Sequence, residues 1–345
     1  MAQINKPDEY FNTVTYNGSN SDLSVTGVGF QPDFCWVKRR SGFSEHELVD
    51  AVRGTSKLLS SDTTGAELDR TFFISFDVDG FSVQTGVSNF NNPGETYVSW
   101  NWLANNTSGS SNTDGSITST VSANTTSGFS IVSYTGTGAN ATIGHGLGVA
   151  PKVVIIKNRD SAVNWMMYNE AFGDNTKSLS LNNNSALDTS ANFFNSTSPT
   201  STVFSVGTNV NTGGASNFIA YCFAEKKGFS KFGSYVGNNN NDGTFVYTGF
   251  KPAFVMVKRS DSNLVANWSM FDNKRSSYNI ERSQLEANTS DPQQTDASAD
   301  IDLLSNGFKL RSTADENNDG GGTYIYMAFA ENPLVGTNNI PATAR

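Results

Sequence analysis

The segments GFQPDFCWVKRR at residues 29–40, GVAPKVVIIKNR at 148–159 and GFKPAFVMVKRS at 249–260 are three versions of one sequence. Each version has a glycine, a proline three residues later, a run of apolar residues, and a lysine six residues after the proline. The prolines and lysines are Pro32 and Lys38, Pro151 and Lys157, and Pro252 and Lys258. Successive prolines are 119 and 101 positions apart, a period that is too long for a solenoid repeat and fits a small domain repeated in tandem.

Two further landmarks flank each version at nearly constant distances. A Tyr-x-Gly triplet lies 16 or 17 residues before each proline, and a strand-like aromatic segment closes each unit. The closing segments are YVSWNWLAN from residue 97, FIAYCFAEK from residue 218 and YIYMAFAEN from residue 324. The chain therefore contains three related units, which we call copies 1, 2 and 3.

The apolar runs between proline and lysine are short, continuous and rich in β-branched or aromatic residues, as is typical of strands at the centre of a sheet. Gly, Asn, Ser and Thr interrupt most windows before an amphipathic stripe forms, so only 45–59 and 278–287 are candidates for short helices. Many short strands with turn residues between them predict an all-β protein of three tandem β-sandwich domains with extended terminal segments.

Composition sets the expected domain boundaries. Copy 1 is predicted at residues 1–105, copy 2 at 129–226 and copy 3 at 229–331, each as a sandwich with its own core. Residues 106–128 are rich in Ser, Thr and Asn and have few large apolar side chains, so we expect a linker that sets copy 1 apart. Residues 332–345 are expected to form an extended C-terminal arm.

The overall composition disfavours several classes of partner. The chain has 345 residues, a formal net charge of −9 and a pI near 4.8, and its acidic balance without a basic stripe argues against nucleic acid. It has no run of 18 apolar residues and its first nine residues are polar, so we expect neither membrane insertion nor a secretion signal. Cys35 and Cys222 are interpreted as small buried side chains, not a disulfide pair, which fits assembly in a reducing cytoplasm.

The chain offers few residues for catalysis. Its two histidines are His46, expected on the surface or in a loop, and His145, expected to bond to backbone in a glycine-flanked turn. The motifs HExxH, CxxC, GxSxG and the phosphate-binding P-loop are absent. We therefore do not expect an enzyme, although a pair of glycan-cleaving carboxylates stays an open alternative because such pairs meet in space and not in sequence.

One loop is a weak candidate for calcium, the single cofactor considered. In DENNDG at 315–320, the side chains of Asp315, Asn317 and Asp319 alternate before a glycine, as oxygen ligands do in calcium loops. The closing glutamate of such a loop is missing, since position 326 is a tyrosine. The Asn238, Asn240 and Asp242 series has the same pattern, and Asn/Asp-Gly clusters between strands are usually plain turns.

Aromatic residues outside the repeated landmarks are candidates for stacking on sugar rings. Asn, Asp and Gly are frequent beside them and would bond to sugar hydroxyl groups. Burial inside each copy is the competing interpretation for every one of these residues. The candidates for glycan binding are Phe43, Phe90, Tyr168, Phe172 and Tyr278.

Longer stretches resemble a known family. The run NTDGSITSTVSANTTSGFSIVSYTGTGANATIGHGLGVAPKVVIIKNR at 112–159, with VGFQPDFCWVKRRS, DAVRG at 50–54, and SNGFKLRS followed by TYIYMAFAENP, resembles repeat domains of virion and tail proteins from marine tailed bacteriophages. The resemblance implies jelly-roll, concanavalin-like or laminin-G-like sandwiches in a phage structural protein, located in the virion after assembly in the host bacterial cytoplasm. It implies other virion proteins as partners and transfers no catalytic residue.

Three functions are consistent with these features. The first is a tail-fibre-type adhesin, expected to be a homo-oligomer and preferably a homotrimer, that binds a host surface glycan with avidity from repeated sites. The second is a capsid-decorating or tail structural component with no receptor role, which fits the lack of a heptad or β-helical shaft in the sequence. The third is a stand-alone carbohydrate-binding module.

Overall fold

Strands dominate the structure, a computed structural model that describes residues 3–261, 266–276, 278–297, 299–336 and 341–344. The all-β prediction is confirmed. In the described residues, the helical elements are the 3-10 turns Pro7–Glu9 and Glu170–Phe172 and the four-residue α-helix α1 (Ala191–Phe194). The short helices expected at 45–59 and 278–287 are wrong, because both stretches contain short strands and turns.

The strands follow the three copies along the chain. Those of copy 1 are β1 (Phe11–Asn17), β2 (Leu23–Thr26), β3 (Phe34–Arg39), β4 (Glu47–Asp50), β5 (Lys57–Leu58), β6 (Leu68–Asp69), β7 (Phe73–Asp77), β8 (Gly80–Val83) and β9 (Thr96–Trp102). Those of copy 2 are β10 (Ser110–Asn112), β11 (Ser119–Asn124), β12 (Phe129–Thr135), β13 (Ala141–Gly144), β14 (Val153–Asn158), β15 (Met166–Asn169), β16 (Lys177–Ser180), β17 (Asp188–Thr189), β18 (Val203–Val206) and β19 (Asn217–Phe223). Those of copy 3 are β20 (Ser230–Val236), β21 (Phe245–Tyr247), β22 (Phe250–Arg259), β23 (Ser269–Asp272), β24 (Leu285–Glu286), β25 (Ile301–Leu304), β26 (Gly307–Leu310) and β27 (Thr323–Pro333).

Each copy has one large antiparallel sheet in which the closing strand lies beside the strand of the Pro–Lys motif. The strand orders are β1-β9-β3-β4 in copy 1, β10-β11-β12-β19-β14-β15-β16-β17 in copy 2 and β20-β27-β22-β23-β24 in copy 3. A smaller sheet, β2-β8-β7, β13-β18 or β21-β26-β25, covers one face of the large sheet, and an apolar cluster fills the space between them. Each copy is therefore β-sandwich-like.

The segment expected to be a linker, residues 106–128, is partly a sheet. Strands β10 and β11 lie within it and pair with β12, so they extend the large sheet of copy 2. Backbone hydrogen bonds hold an edge strand without large apolar side chains, and the polar composition therefore concealed these strands. The expected C-terminal arm begins inside β27, and residues 337–340 and 345 lie outside the described residues.

The continuous apolar runs of the Pro–Lys motif are explained by burial on both faces of the sheet. In β3, the side chains of Cys35 and Val37 point into the sandwich core of copy 1. Phe34 and Trp36 alternate with them and point to the opposite face, where they join a second and larger cluster. Residues from all three copies contribute to this second cluster, so the large sheets pack against one another around a shared core.

Trp102 shows how closely the copies are joined. Its ring lies between 5.5 and 6.4 Å, centroid to centroid, from the rings of Phe129 and Phe223 in copy 2 and of Phe254 and Phe329 in copy 3. The expectations of fully separate cores and of a detached copy 1 are therefore wrong. A strand pattern shows that both faces are buried, but it does not show what covers each face.

The copies follow one another around a closed ring with approximate threefold symmetry. In each copy, a backbone N–H donates to the carbonyl oxygen two residues after the motif lysine of the next copy. Because the third bond returns to copy 1, the contacts are head-to-tail and the ring closes. The three bonds are Glu67 N to Arg159 O at 2.8 Å, Leu187 N to Ser260 O at 3.0 Å and Gln293 N to Arg40 O at 2.9 Å.

Candidate functional site

The repeated lysines are structural ties inside the ring. Lys38, Lys157 and Lys258 are fully buried, and each amine donates to two backbone carbonyl oxygens. Two of the ties cross between copies, from Lys38 to Ser290 O at 3.1 Å and from Lys258 to Asn184 O at 3.3 Å. Burial lowers the pKa of each amine to about 8, because water no longer solvates the charged form.

A second ring of hydrogen bonds corrects the expectation for His46. Trp165 Nε1 and Trp268 Nε1 donate to carbonyl oxygens of the neighbouring copy, at Ser60 and Ser180, over 2.9 and 3.1 Å. His46 occupies the corresponding position in copy 1, immediately before β4, and is fully buried.

The protonation of His46 follows from its two contacts. Its Nδ1 accepts from Trp36 Nε1 at 2.8 Å, so the ring proton is on Nε2, which donates to Glu286 O at 3.0 Å. Burial, with a contribution from Lys38, holds the pKa of the imidazole well below its usual value. His46 is therefore a neutral donor that replaces an indole N–H, and it is not a surface residue.

The other predicted single residues keep their expected surroundings. His145 Nε2 lies 3.1 Å from Thr200 O, and its Nδ1 accepts from Leu147 N at 3.2 Å, so the imidazole bonds to backbone. Cys35 and Cys222 are fully buried, as expected of small apolar side chains. These residues support the scaffold and present no reactive group to solvent.

The DAVRG segment forms a buried ionic junction between copies 1 and 2. Arg53 Nε donates to Asp50 Oδ2 at 2.5 Å, and the backbone N–H groups of Val52 and Arg53 donate to Asp50 Oδ1. Tyr221 OH from copy 2 donates to the same carboxylate at 2.8 Å. The Arg53 guanidinium, whose pKa the Asp50 and Tyr221 contacts keep above its usual value despite burial, is fully paired with acceptors of both copies.

Only two of the five aromatic glycan candidates are well exposed. Phe90 is fully buried in the core of copy 1, and Tyr168 is 2% exposed, with its ring edge against Phe194. Phe172 is half-buried against the shared core. Phe90 and Tyr168 are therefore wrong as stacking platforms and Phe172 stays a prediction, whereas Phe43 and Tyr278 are 71% and 77% exposed.

The calcium candidates are engaged in other contacts. Asn317 is fully buried; its Oδ1 accepts from Ser312 Oγ at 2.8 Å and its Nδ2 donates to Ala299 O at 3.1 Å. Asp319 forms an ion pair with Arg259 at 2.9 Å. Asn317 therefore does not point toward a common centre with the exposed Asp315, and no group of three or more His, Cys, Asp or Glu in the described ranges is arranged to hold a metal ion. The Asn238 to Asp242 series forms two consecutive Asx turns.

The sequence did not reveal a solvent-open pocket on copy 3, which we call the copy 3 pocket. Its volume is about 350 Å³, which falls in the range of small-molecule sites. Its residues are separated by up to 70 positions along the chain, so no local motif indicates it. The lining consists of Asn241, Ile280, Arg282, Ala297, Asp300 and Arg311.

These features define the class as an all-β, β-sandwich-like protein built from three copies in a ring. In the described part of the chain, no helix has the length and apolarity that a membrane crossing requires. Residues 6–333 match the family described as "Domain of unknown function (DUF7483)", and the chain belongs to that family. No curated protein and no solved structure matches the chain.

Proposed function

We propose that this protein is a bacteriophage virion structural protein that acts as a tail-fibre-type adhesin and binds a host surface glycan. The observation that carries the proposal is the exposure of Phe43 and Tyr278 on loops above a rigid scaffold. An exposed aromatic ring offers a flat apolar face to the C–H groups of a sugar. The sequence resemblance to phage virion proteins supports the proposal that the protein is part of a virion.

The loop that presents Phe43 is held at both ends by the neighbouring copy. Arg40 O accepts from Gln293 N, and Ser44 N donates to Ser290 O, both at 2.9 Å. Phe43 lies between these two tethers. Because the loop is already ordered, sugar binding does not have to order it. The favourable free energy of a weak sugar contact is therefore not cancelled by a loss of loop entropy.

The loop that presents Tyr278 is anchored on the small sheet of copy 3. The Asn279 side chain donates to Leu303 O at 2.9 Å and accepts from Leu303 N at 3.0 Å, as a paired strand residue would. Glu281 and Ile301 exchange backbone hydrogen bonds at 2.8 and 3.1 Å. Tyr278 therefore immediately precedes a segment, residues 279–281, that is anchored to the small sheet.

We infer further that each copy is a sandwich of jelly-roll or concanavalin-like type, and that the three copies are tandem versions of it. The large and small antiparallel sheets around an apolar cluster support this interpretation. Phe43 and Tyr278 lie in copies 1 and 3 at positions that do not correspond, so avidity from identical sites requires more than one chain. A homotrimer of chains stays a prediction, which sedimentation equilibrium measures.

Two substitutions test the adhesin proposal. Phe43→Ala and Tyr278→Ala should each weaken binding to an array of bacterial surface polysaccharides by about tenfold, since loss of a stacking contact costs on the order of 1 kcal/mol. Tyr247→Ala is the matched control, because Tyr247 is 57% exposed but lies on strand β21 and not on a presenting loop. Wild-type protein that binds no polysaccharide on the array would contradict the proposal.

A second candidate is a capsid-decorating or tail component with no receptor role. The threefold ring favours it, because three similar faces around one axis fit a threefold position of a particle lattice. Cryo-electron microscopy of the intact particle distinguishes the two. Density at the distal end of a tail appendage supports the adhesin, whereas density on the capsid lattice supports decoration.

A further inference from the structure

We propose that the copy 3 pocket is a saccharide-binding site that recognises two neighbouring hydroxyl groups of a neutral sugar. This inference deepens the adhesin proposal and rests on it. The pocket combines free hydrogen-bond donors, an unpaired acceptor and an apolar wall, which are the groups that a sugar ring with vicinal hydroxyls requires.

The donors are the two guanidinium groups. Arg282 uses its Nε to bond to Asp300 Oδ2 at 3.1 Å, and its Nη1 and Nη2 have no partner within the described residues. Arg311 donates through Nε to Asp302 at 2.6 Å and through Nη1 to Asp242 at 3.2 Å. Its Nη2 has no partner within the described residues. The carboxylates fix both planes, so the free N–H groups are oriented before a ligand binds.

The acceptor is Asp300, whose side chain is 4% exposed. Its Oδ1 is buried and has no hydrogen-bond partner among the described residues. An unpaired buried acceptor is costly, and a donor that reaches it recovers that cost. A sugar hydroxyl donates its proton to a carboxylate while the adjacent hydroxyl accepts from a guanidinium, so Asp300 and Arg282 together match a vicinal pair.

The apolar wall consists of Ile280, which is 40% exposed, and Ala297. They provide a surface for the C–H face of a sugar ring, and Tyr278 precedes Ile280 by two residues on the same anchored loop. Three cations and four carboxylates surround the pocket, so no excess of positive charge favours an anionic ligand over a neutral one. These groups are Arg282, Arg311 and Lys309 with Asp300, Asp302, Asp242 and Asp296.

Copy 1 shows that the scaffold does not require these charges. Arg311 N donates to Asp300 O at 2.8 Å, and the corresponding bond in copy 1, from Gln84 N to Phe72 O, is also 2.8 Å. This backbone hydrogen bond is thus kept where copy 1 has Gln84 and Phe72 in place of Arg311 and Asp300, although β7 has a register shift between Phe73 and Ser75 that β25 lacks. Of these two copies, only copy 3 has charged residues at these positions. Such a difference is expected of a binding site that was added to a common scaffold.

The test measures binding of methyl glycosides of glucose, galactose and mannose to the full chain by saturation-transfer-difference NMR. We expect at least one glycoside to bind in the millimolar range, and Arg282→Ala and Asp300→Asn to weaken its binding at least tenfold. Arg70→Ala, which removes an exposed arginine of copy 1, should leave binding unchanged. Thermal melts of every variant confirm that it is folded. Binding that is unchanged in folded Arg282→Ala, or no binding of any of the three glycosides, overturns the site.

The polysaccharide array separates failure of the site from failure of the adhesin proposal. If Arg282→Ala keeps wild-type binding on the array while Phe43→Ala loses it, the copy 3 pocket is overturned and the adhesin proposal stands. If wild-type protein binds nothing on the array, the adhesin proposal and the pocket both fall. Loss of array binding in Arg282→Ala, but not in Arg70→Ala, supports both.

Discussion

The junctions between copies use the same geometry with different chemistry. Between copies 3 and 1, Asp272 accepts from Arg275 Nε at 2.6 Å and from Trp100 Nε1 at 3.0 Å, which repeats the Asp50, Arg53 and Tyr221 network between copies 1 and 2. Between copies 2 and 3, the corresponding residues are Asn169, Phe172 and Met327.

All three members of the network are replaced together at the third junction. A buried carboxylate without its arginine, or an arginine without its carboxylate, is strongly destabilising, whereas an apolar set of similar volume is tolerated. The ring therefore requires a filled junction, and either a complete ionic set or the uncharged set of Asn169, Phe172 and Met327 fills it. Substitutions at single members test this difference.

The largest effect is expected from breaking an ionic junction. Arg53→Ala leaves the Asp50 carboxylate buried without its counter-ion and should lower the free energy of unfolding by about 3 to 5 kcal/mol. Phe172→Ala at the uncharged junction is the matched variant and should cost about 2 kcal/mol, since Phe172 is only half-buried. Urea denaturation measures both. Equal losses would show that the ionic chemistry makes no difference.

A smaller effect is expected from removal of one donor. Tyr221→Phe deletes the hydroxyl that donates to Asp50 and should cost about 1.5 to 3 kcal/mol, because the acceptor is charged. Met327→Leu, at the corresponding position of the uncharged junction, should cost less than about 1.5 kcal/mol. A larger loss for Met327→Leu than for Tyr221→Phe in the same denaturation series would reverse the comparison.

A buried carboxyl group makes the stability of copy 1 depend on pH at a position where copy 2 has no titratable side chain. Burial raises the pKa of Glu47 to about 8, whereas copy 2 has Met166 at this position, immediately after Trp165. A raised folded-state pKa contributes stability that is complete below the unfolded-state pKa of about 4.3 and is lost as pH rises through 8. Wild-type protein should therefore lose about 2 kcal/mol between pH 6.5 and 8 through this group. Glu47→Gln should remove that slope in urea titrations at the two pH values, and an unchanged slope would contradict it.

The smallest effect is expected at the copy 3 pocket. Arg282 is about half exposed, and its pair with Asp300 is screened by solvent on one side. Arg282→Ala should lower the free energy of unfolding by about 1 kcal/mol, because the buried Asp300 carboxylate loses a donor while solvent screens the pair on the Arg282 side. A loss as large as that of Arg53→Ala would identify Arg282 as part of the scaffold and not of a binding site.

Much of the fold was predictable because the repeated landmarks are local. The all-β class and the central position of the Pro–Lys strands follow from short apolar runs with turn residues between them. The shared core was not predictable, since Phe34 and Trp36 have the same apolar character whether a sandwich or another copy covers them. His46 was misplaced because a single histidine between glutamates gives no sign that it replaces a tryptophan.

The candidate site was predictable only in part. Phe43 and Tyr278 were identified from their position outside the landmarks, but the same criterion also selected Phe90 and Tyr168, which the fold buries. Exposure depends on which face of a strand or loop meets the core, and loop residues carry no periodicity that reveals it. The copy 3 pocket depends on loops that meet only in the folded chain, so no local sequence pattern indicates it.

Differential scanning calorimetry of the full chain tests the shared core most directly. Three large sheets around one core should unfold together, with a single transition and a ratio of calorimetric to van't Hoff enthalpy of about one. Three separable transitions, or a ratio near three in a single peak, would show that the copies unfold independently and would contradict the shared core.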